Sequence, residues 1–297
     1  MTIESYGKVN NIGHADIREL LNNEVVIEEK VDGSQISFYK DPASDYLFIK
    51  SRKQLIDQDN PGMFKEAVEY IQSIKESLNV GWVYRGEYLQ KPRHNVLTYD
   101  RVPKNHIVLF DVETIAGTHL DPEKKQKEAE ELGLECVPVL AKGHVESLEF
   151  LNELLERKSY LGGPNIEGVV LKAYGKLSRG GNLLKGKLVS AGFKEVQKKP
   201  KTGKPHRDII EVLSGLYRSE VRWEKALQHM KEEGKIVGSM RDVGELMKEV
   251  HSDVAAECAD EIKEELFNWA WPEIRKHIAS GLPQWYKEKM AGEAFDE

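Results

Sequence analysis

Cysteine is nearly absent. The 297-residue chain holds only Cys136 and Cys258, too few for a disulfide framework or a cysteine-based zinc site. Long apolar runs are missing too. Those present are strand-sized, such as Ile107–Phe110, whereas a membrane-spanning helix needs roughly 20 consecutive apolar residues. The opening Met1-Thr-Ile-Glu-Ser lacks a basic-then-apolar leader pattern. The nine histidines form no HExxH pairing of the kind that holds catalytic zinc, and no G-x-S-x-G elbow occurs. A soluble, cytoplasmic protein with no membrane partner is expected.

A surplus of positive charge is also lacking. Lys and Arg number 43 against 50 Asp and Glu, a formal net charge of −7, which by itself argues against a nucleic-acid partner because Lys and Arg drive phosphate binding. The distribution says otherwise. Residues 1–171 carry 20 basic and 29 acidic side chains, residues 172–207 carry 11 and one, and residues 208–297 carry 12 and 20. The basic block (Lys172, Lys176, Arg179, Lys185, Lys187, Lys194, Lys198, Lys199, Lys201, Lys204 and Arg207) is interleaved with apolar residues in its first half, which predicts that this half is folded.

Patterning gives the organisation. Strands are expected at Glu24–Glu29, Ser34–Lys40, Asp45–Lys50, Gly81–Leu89, His106–Val112, Ile166–Lys172 and Leu183–Val189. Apolar residues at helical spacing over Met63–Leu78 predict a helix. Two more have start signals, Asp121-Pro122-Glu123 and Ser147-Leu-Glu. Lys198–Pro205 has loop composition. Beyond it Leu213, Leu216, Leu246, Val250, Leu266 and Ile274 follow a helical period. The expected fold class is α+β: a catalytic domain over 1–197, a basic linker over 198–207 and a helical domain over 208–297.

Two near-motifs fail on chemistry. Gly181–Leu188 almost spells a phosphate-binding loop, but Leu188 stands where Ser or Thr must ligate Mg²⁺. Asp57–Gly62 begins like a calcium loop, yet its twelfth position is Val68 where a bidentate Glu is required. A turn leading into the next helix is the better reading.

The segment Lys30-Val31-Asp32-Gly33 closes an apolar strand with a turn, so Lys30 is expected at a strand edge facing a cleft. In order follow Ser51-Arg52-Lys53, Arg85-Gly86-Glu87-Tyr88, Leu109-Phe110-Asp111-Val112, Glu167-Gly168-Val169-Val170-Leu171-Lys172 and Lys185-Gly186-Lys187. A lysine amine can attack an α-phosphate if it is deprotonated, and Lys185, Lys187 and Mg²⁺ are expected to lower its pKa. Arg52 suits a phosphate or ribose through its planar fork. Glu87 suits a ribose hydroxyl, Phe110 an adenine face and Glu167 a hydrated metal. Singly, Phe110 reads as a core aromatic and the two glutamates as surface charges; the ordered set is what argues for chemistry.

This set, over roughly residues 24–190, resembles the covalent nucleotidyltransferases: DNA ligases, RNA ligases and mRNA capping enzymes. DNA ligases and capping enzymes of that superfamily carry an all-β domain after the K-x-K pair, whereas this chain continues as helices. The chain therefore looks like the phage-type RNA ligase 2 family. Asp32 and Gln35 depart from that family, which typically has His and Asn there. The resemblance implies an adenylyltransferase domain of antiparallel sheets and an ATP-dependent RNA ligase using Mg²⁺ or Mn²⁺. It implies catalytic roles for Lys30, Asp32, Glu167, Lys185 and Lys187. Around the nucleotide it places these together with Glu29, Val31, Gln35, Arg52, Glu87 and Phe110. Lys91, Arg93 and His94 are candidates for RNA contact, or simply a loop. The implied partner is RNA with 5′-phosphate and 3′-hydroxyl ends, bound by a monomer, and a phage origin fits. A minimal DNA or DNA/RNA repair ligase is the same-class alternative. A non-catalytic RNA-binding protein on a ligase fold is the alternative from another class.

Overall fold

The computed structural model describes residues 4–178, 181–190 and 209–293. Arg179, the basic residues from Lys194 to Arg207 and the expected linker lie outside them. Contacts divide the chain into two compact units, Met1–Lys194 with Trp223–Asp242, and Glu195–Arg222 with Val243–Glu297.

The first unit holds ten strands: β1 (Asn10–Asn11), β2 (Val25–Lys30), β3 (Ser34–Lys40), β4 (Leu47–Ser51), β5 (Val83–Tyr88), β6 (Ile107–Glu113), β7 (Glu135–Cys136), β8 (Val139–Gly143), β9 (Gly168–Leu177) and β10 (Leu183–Val189). They form two five-stranded sheets, ordered β1-β10-β9-β2-β8 and β4-β3-β5-β6-β7. Pairing is antiparallel except at β1 with β10 and β6 with β7. The fold is α+β, as expected. Ser34–Lys40 and Leu183–Val189 fall where alternation puts them. The two-residue strands β1 and β7 are not predicted by patterning, because two residues display no alternation, and β8 (Val-Leu-Ala-Lys-Gly) escapes it as well.

Each sheet sets one face against an apolar core. Ile36, Phe38, Ile49, Tyr84, Tyr88 and Leu109 pack with Ala67, Val68 and Ile71 of helix α1 (Lys65–Ser73). The predicted helix over Met63–Leu78 is α-helical only in this central part, with short 3₁₀ turns at Gly62–Phe64 and Lys75–Ser77. Asp57 accepts from the Asp59 amide at 3.0 Å in the turn that precedes it. The other sheet sets Val25, Ile27, Val169 and Leu171 against Leu151, Leu154 and Leu155 of α3 (Leu148–Leu155). Both start signals operate: Asp121 accepts from the Lys124 amide ahead of α2 (Pro122–Glu131), and Ser147 from the Phe150 amide ahead of α3.

β2 and β3 are separated by only Val31, Asp32 and Gly33, yet they belong to different sheets. The turn after Lys30 is therefore one place where the chain crosses from one sheet to the other, and Val137-Pro138, between β7 and β8, carries it back.

Among the described residues four α-helices follow: α4 (Ile209–Tyr217), α5 (Glu220–Glu232), α6 (Val243–Ile278) and α7 (Leu282–Glu293). Arg222 belongs to the second unit, where it pairs with Asp253 and approaches the Cys258 sulfur at 3.5 Å. The far half of α6 and α7 leaves Phe267, Trp269, Trp271, Ile274 and Trp285 exposed. Among the described residues no helix is long and apolar enough to cross a membrane.

Candidate active site

Antiparallel register decides which side chains share a face, because paired residues point the same way and neighbours along a strand point oppositely. Val26 pairs with Lys172 and Lys172 with Lys185; Glu28 pairs with Val170 and Val170 with Lys187; Lys30 pairs with Gly168. Lys30, Glu28, Lys172, Lys185 and Lys187 thus share one face. On the second sheet Gln35 pairs with Glu87, Ser37 with Arg85 and Arg85 with Asp111, opposite the face that carries Ile36 and Phe38.

The Lys30 ammonium donates to Glu167 Oε2 at 2.6 Å. Burial alone would favour its neutral form, but Glu167, Glu87 and Asp32 outweigh it and hold the lysine well above its ordinary range. The sequence expectation of a lowered pKa rests on Lys185, Lys187 and Mg²⁺ together; of the protein's own groups, the three carboxylates act most strongly on Lys30. Burial, reinforced by Glu167, Glu232 and Asp32 against the opposing pull of Lys30, pushes Glu87 up to about 8. Glu167 is raised from its usual value by burial, despite Lys30 and Lys187.

The turn is built around Gly33 and Asp32. A Cβ on Gly33 would stand 2.8 Å from the Tyr88 carbonyl oxygen, so no larger residue fits without a shift. Asp32 turns its carboxylate to the loop after β5, accepting from the Val96 and Leu97 amides at 2.8 Å each and from Asn95 Nδ2 at 3.2 Å. Its own amide donates to the Tyr99 hydroxyl at 2.8 Å. Tyr99 does not stand out in the sequence as a site residue, and Asn95 does so only as the end of the segment Lys91-Pro92-Arg93-His94-Asn95, which suits phosphate or RNA contact rather than a lock on Asp32.

The remaining candidates separate. Lys91 and Arg93 are exposed on that same loop. His94 is buried: Nδ1 accepts from the Gln90 amide at 3.1 Å, so Nε2 carries the proton that bonds Ser34 Oγ at 2.7 Å. Burial lowers its pKa to about 4. Glu29 points to the far side of β2, where it accepts from Ser159 Oγ at 2.5 Å and the Tyr160 amide at 3.1 Å. Val31 packs with Leu89, Leu97 and Tyr99. Arg52 Nη1 lies 3.4 Å from His229 Nε2. Ser34 also bonds Glu232, whose carboxyl burial raises to about 7.

Farther along the same face lies a buried charged group that sequence reasoning misses. Glu28 pairs with Lys125 at 2.6 Å and with Lys172 at 2.8 Å, all three almost wholly buried. Both lysines also donate to the Phe110 carbonyl. By sequence Lys172 begins a phosphate-facing basic strip; burial and two acceptors commit it to the interior instead. Lys185 is buried as well. That burial, with Lys172 and Arg85 as like-charged neighbours and only Asp111 and Glu113 opposing, lowers it to about 7.

Two sheets meeting at a lysine turn, with a carboxylate on that lysine and a K-x-K strand on its face, define a domain of nucleotidyltransferase type. A family model described as RNA ligase matches residues 23–187, more than half of the chain, and the protein belongs to this family. Among solved structures it is similar to a variant of Naegleria gruberi RNA ligase with ATP and Mn, at 18% identity and a TM-score of 0.51. It is likewise similar to the same ligase with PPi, at 17% identity and a TM-score of 0.52. Each match covers 64% of this chain and 57% of the other, so the chain spans less than two thirds of the length of these relatives. At such identity the likeness is one of fold. No curated protein matches the chain.

Proposed function

We propose that the protein is an ATP-dependent RNA ligase whose nucleophile is Lys30. The observation that carries this is the Lys30–Glu167 contact at 2.6 Å on the face that also bears Lys185 and Lys187. Lys30 Nζ attacks the α-phosphorus of ATP, a P–N bond forms, the bond to the β-phosphate oxygen breaks and pyrophosphate leaves. The proton lost by Lys30 has the Glu167 carboxylate as its nearest acceptor. AMP then passes to an RNA 5′-phosphate, and a 3′-hydroxyl displaces it to form the phosphodiester. All are displacements at phosphorus, where positioning and electrostatics supply most of the catalysis.

In this reading Phe110 stacks the adenine, Glu87 and Arg52 hold the ribose or phosphates, and Lys185 and Lys187 meet phosphate oxygens. Gln35 pairs with Glu87 on the neighbouring strand of the same sheet. Asp32 serves through the loop it fixes, and Glu29 and Val31 support the lysine from behind. Exposed Lys91 and Arg93 contact RNA, with buried His94 shaping their loop. The division into a catalytic domain over 1–197, a basic linker over 198–207 and a helical domain over 208–297 belongs to the same proposal, as do a monomer and a cytoplasmic setting.

The donor chemistry fits Mg²⁺ or Mn²⁺. Glu167 and Glu87 are carboxylates that burial and mutual repulsion make unfavourable as anions, an environment that a divalent cation relieves. Glu167 would hold it. When bound, such an ion neutralises charge on the phosphates. The solved Naegleria gruberi ligase with ATP and Mn supports that choice.

Incubation with α-labelled ATP and Mg²⁺ tests the reading. A labelled adduct stable to denaturation is expected from the wild type and none from Lys30→Ala. Chase with 5′-phosphorylated RNA or DNA nicks then separates an RNA ligase from a DNA repair ligase. Failure of the wild type to form the adduct removes the enzymatic reading and leaves the non-catalytic one.

A further inference from the structure

Residues 4–8 lie against both sheets. The Glu4 carbonyl accepts from Arg85 Nη1 at 3.1 Å, and Ser5 Oγ accepts from Lys50 Nζ at 3.0 Å. Tyr6 reaches deepest. Its hydroxyl donates to Asp111 Oδ2 at 2.7 Å, and its ring meets Phe110 edge-on at 5.2 Å between centroids. Lys185 Nζ stands 3.2 Å above the centre of the same ring, and the Arg85 guanidinium lies 5.2 Å from it.

These partners matter because of what the proposed function asks of them. Phe110 is its adenine-stacking residue and Lys185 one of its phosphate-binding lysines. An ammonium sitting 3.2 Å over an aromatic face draws on the ring quadrupole in place of water. It cannot use those same donors on a phosphate. Likewise the Phe110 ring, packed against Tyr6 at 5.2 Å between centroids, has less of its surface open to a base. Nothing in the sequence motifs points to Tyr6, which lies 105 positions from Asp111.

We propose that Tyr6 competes with the nucleotide for this pocket: residues 4–8 act as a tethered occupant whose ring takes Phe110 and Lys185, and they withdraw when ATP enters. The inference rests on the ligase reading. Its chemistry is that of a self-ligand, an aromatic ring with a hydrogen-bonding tip standing in for a base. The expected consequence is an apparent ATP affinity weakened by the fraction of molecules in which Tyr6 is seated.

The test is hydrogen–deuterium exchange on full-length Lys30→Ala, which cannot form the covalent adduct, with and without ATP. Exchange should slow over 107–113 and 183–188 and speed up over 4–8. In parallel, Tyr6→Ala in the same background should bind ATP about three- to tenfold tighter, as expected when a mostly seated competitor is removed. Tyr6→Phe, which keeps the ring but loses the Asp111 bond, should fall between, and it serves if the alanine variant folds poorly. Slower exchange over the strands with unchanged or slower exchange over 4–8 overturns the competition while sparing the ligase reading. Unchanged or weaker binding by both variants does the same. Absence of ATP protection anywhere, with no adduct in the wild type, removes both.

Discussion

Lys30 and Glu167 lie 137 residues apart in sequence and 2.6 Å apart in space, and the contact favours the charged form of the proposed nucleophile. With Glu167, Glu87 and Asp32 outweighing burial, Lys30 is held as an ammonium, which has no lone pair to attack phosphorus. Lysyl-AMP formation measured in a single turnover should therefore climb with pH across about pH 6 to 9, as for a nucleophile that must first lose a proton. Glu167→Gln should move the rise to lower pH while lowering the maximum rate. A profile flat over that range would show that Lys30 is already neutral.

Two glutamates, Glu28 buried and Glu87 half-buried, should respond oppositely to loss of charge. Glu28→Gln leaves Lys125 and Lys172 buried without their shared carboxylate, and removing one partner of such a group costs about 3–5 kcal/mol. A large drop in Tm is expected. Glu87 is the reverse case. Its folded pKa of about 8 lies above the ordinary 4.5, so the folded state holds the proton more tightly and the ionised carboxylate opposes folding. Stability from this group is fully present below its unfolded value and lost as pH rises to about 8. Glu87→Gln should flatten that decline, holding or raising Tm in mild alkali while impairing adenylylation. Thermal melts of both variants across pH distinguish them.

Gly33→Ala tests the packing of the turn. The added methyl would face the Tyr88 carbonyl at 2.8 Å and Leu89 Cδ1 at 2.9 Å, the first of them rigid strand backbone. Overpacking of this kind costs about 1–3 kcal/mol. Because the displaced segment begins at Lys30, adenylylation should slow by more than the loss of folded protein explains. Comparing activity per folded molecule, from a melt and a single-turnover rate, checks it.

Lys91 and Arg93 are exposed on the loop that Asp32 anchors. Replacing either with Ala should weaken RNA binding about equally across sequences. The salt slope of log affinity should fall by about one for each phosphate left without its cation. An unchanged slope in the double variant would place the RNA elsewhere. His94→Ala should instead lower Tm, since its ring is internal.

What the sequence made legible was whatever repeats with the period of a strand. Lys185 and Lys187 are two apart and so share a face, and Glu167 directly precedes the strand that pairs with β2. Register then needed no side-chain detail. Single residues brought in from afar had no such signature. Lys125 lies on a helix whose residues are mostly charged, and nothing separates it in sequence from Lys124 or Lys127, which are exposed. His94 sits among exposed polar residues and is buried only because Ser34 and the Gln90 amide bind its ring. The carboxylates that act on Lys30 are not readable as its neighbours in the sequence, since Glu87 and Glu167 come to it from separate elements.

The three-residue link between β2 and β3 has a mechanical consequence. Lys30 is the last residue of β2 and Ser34 the first of β3, so three residues carry the chain from one sheet to the other. Asp32, in the middle of that link, is held by the Val96 and Leu97 amides and the Tyr99 hydroxyl. So short and so well anchored a link leaves Lys30 little freedom of its own: the reacting amine takes its place from the joint between the two sheets rather than from either sheet alone.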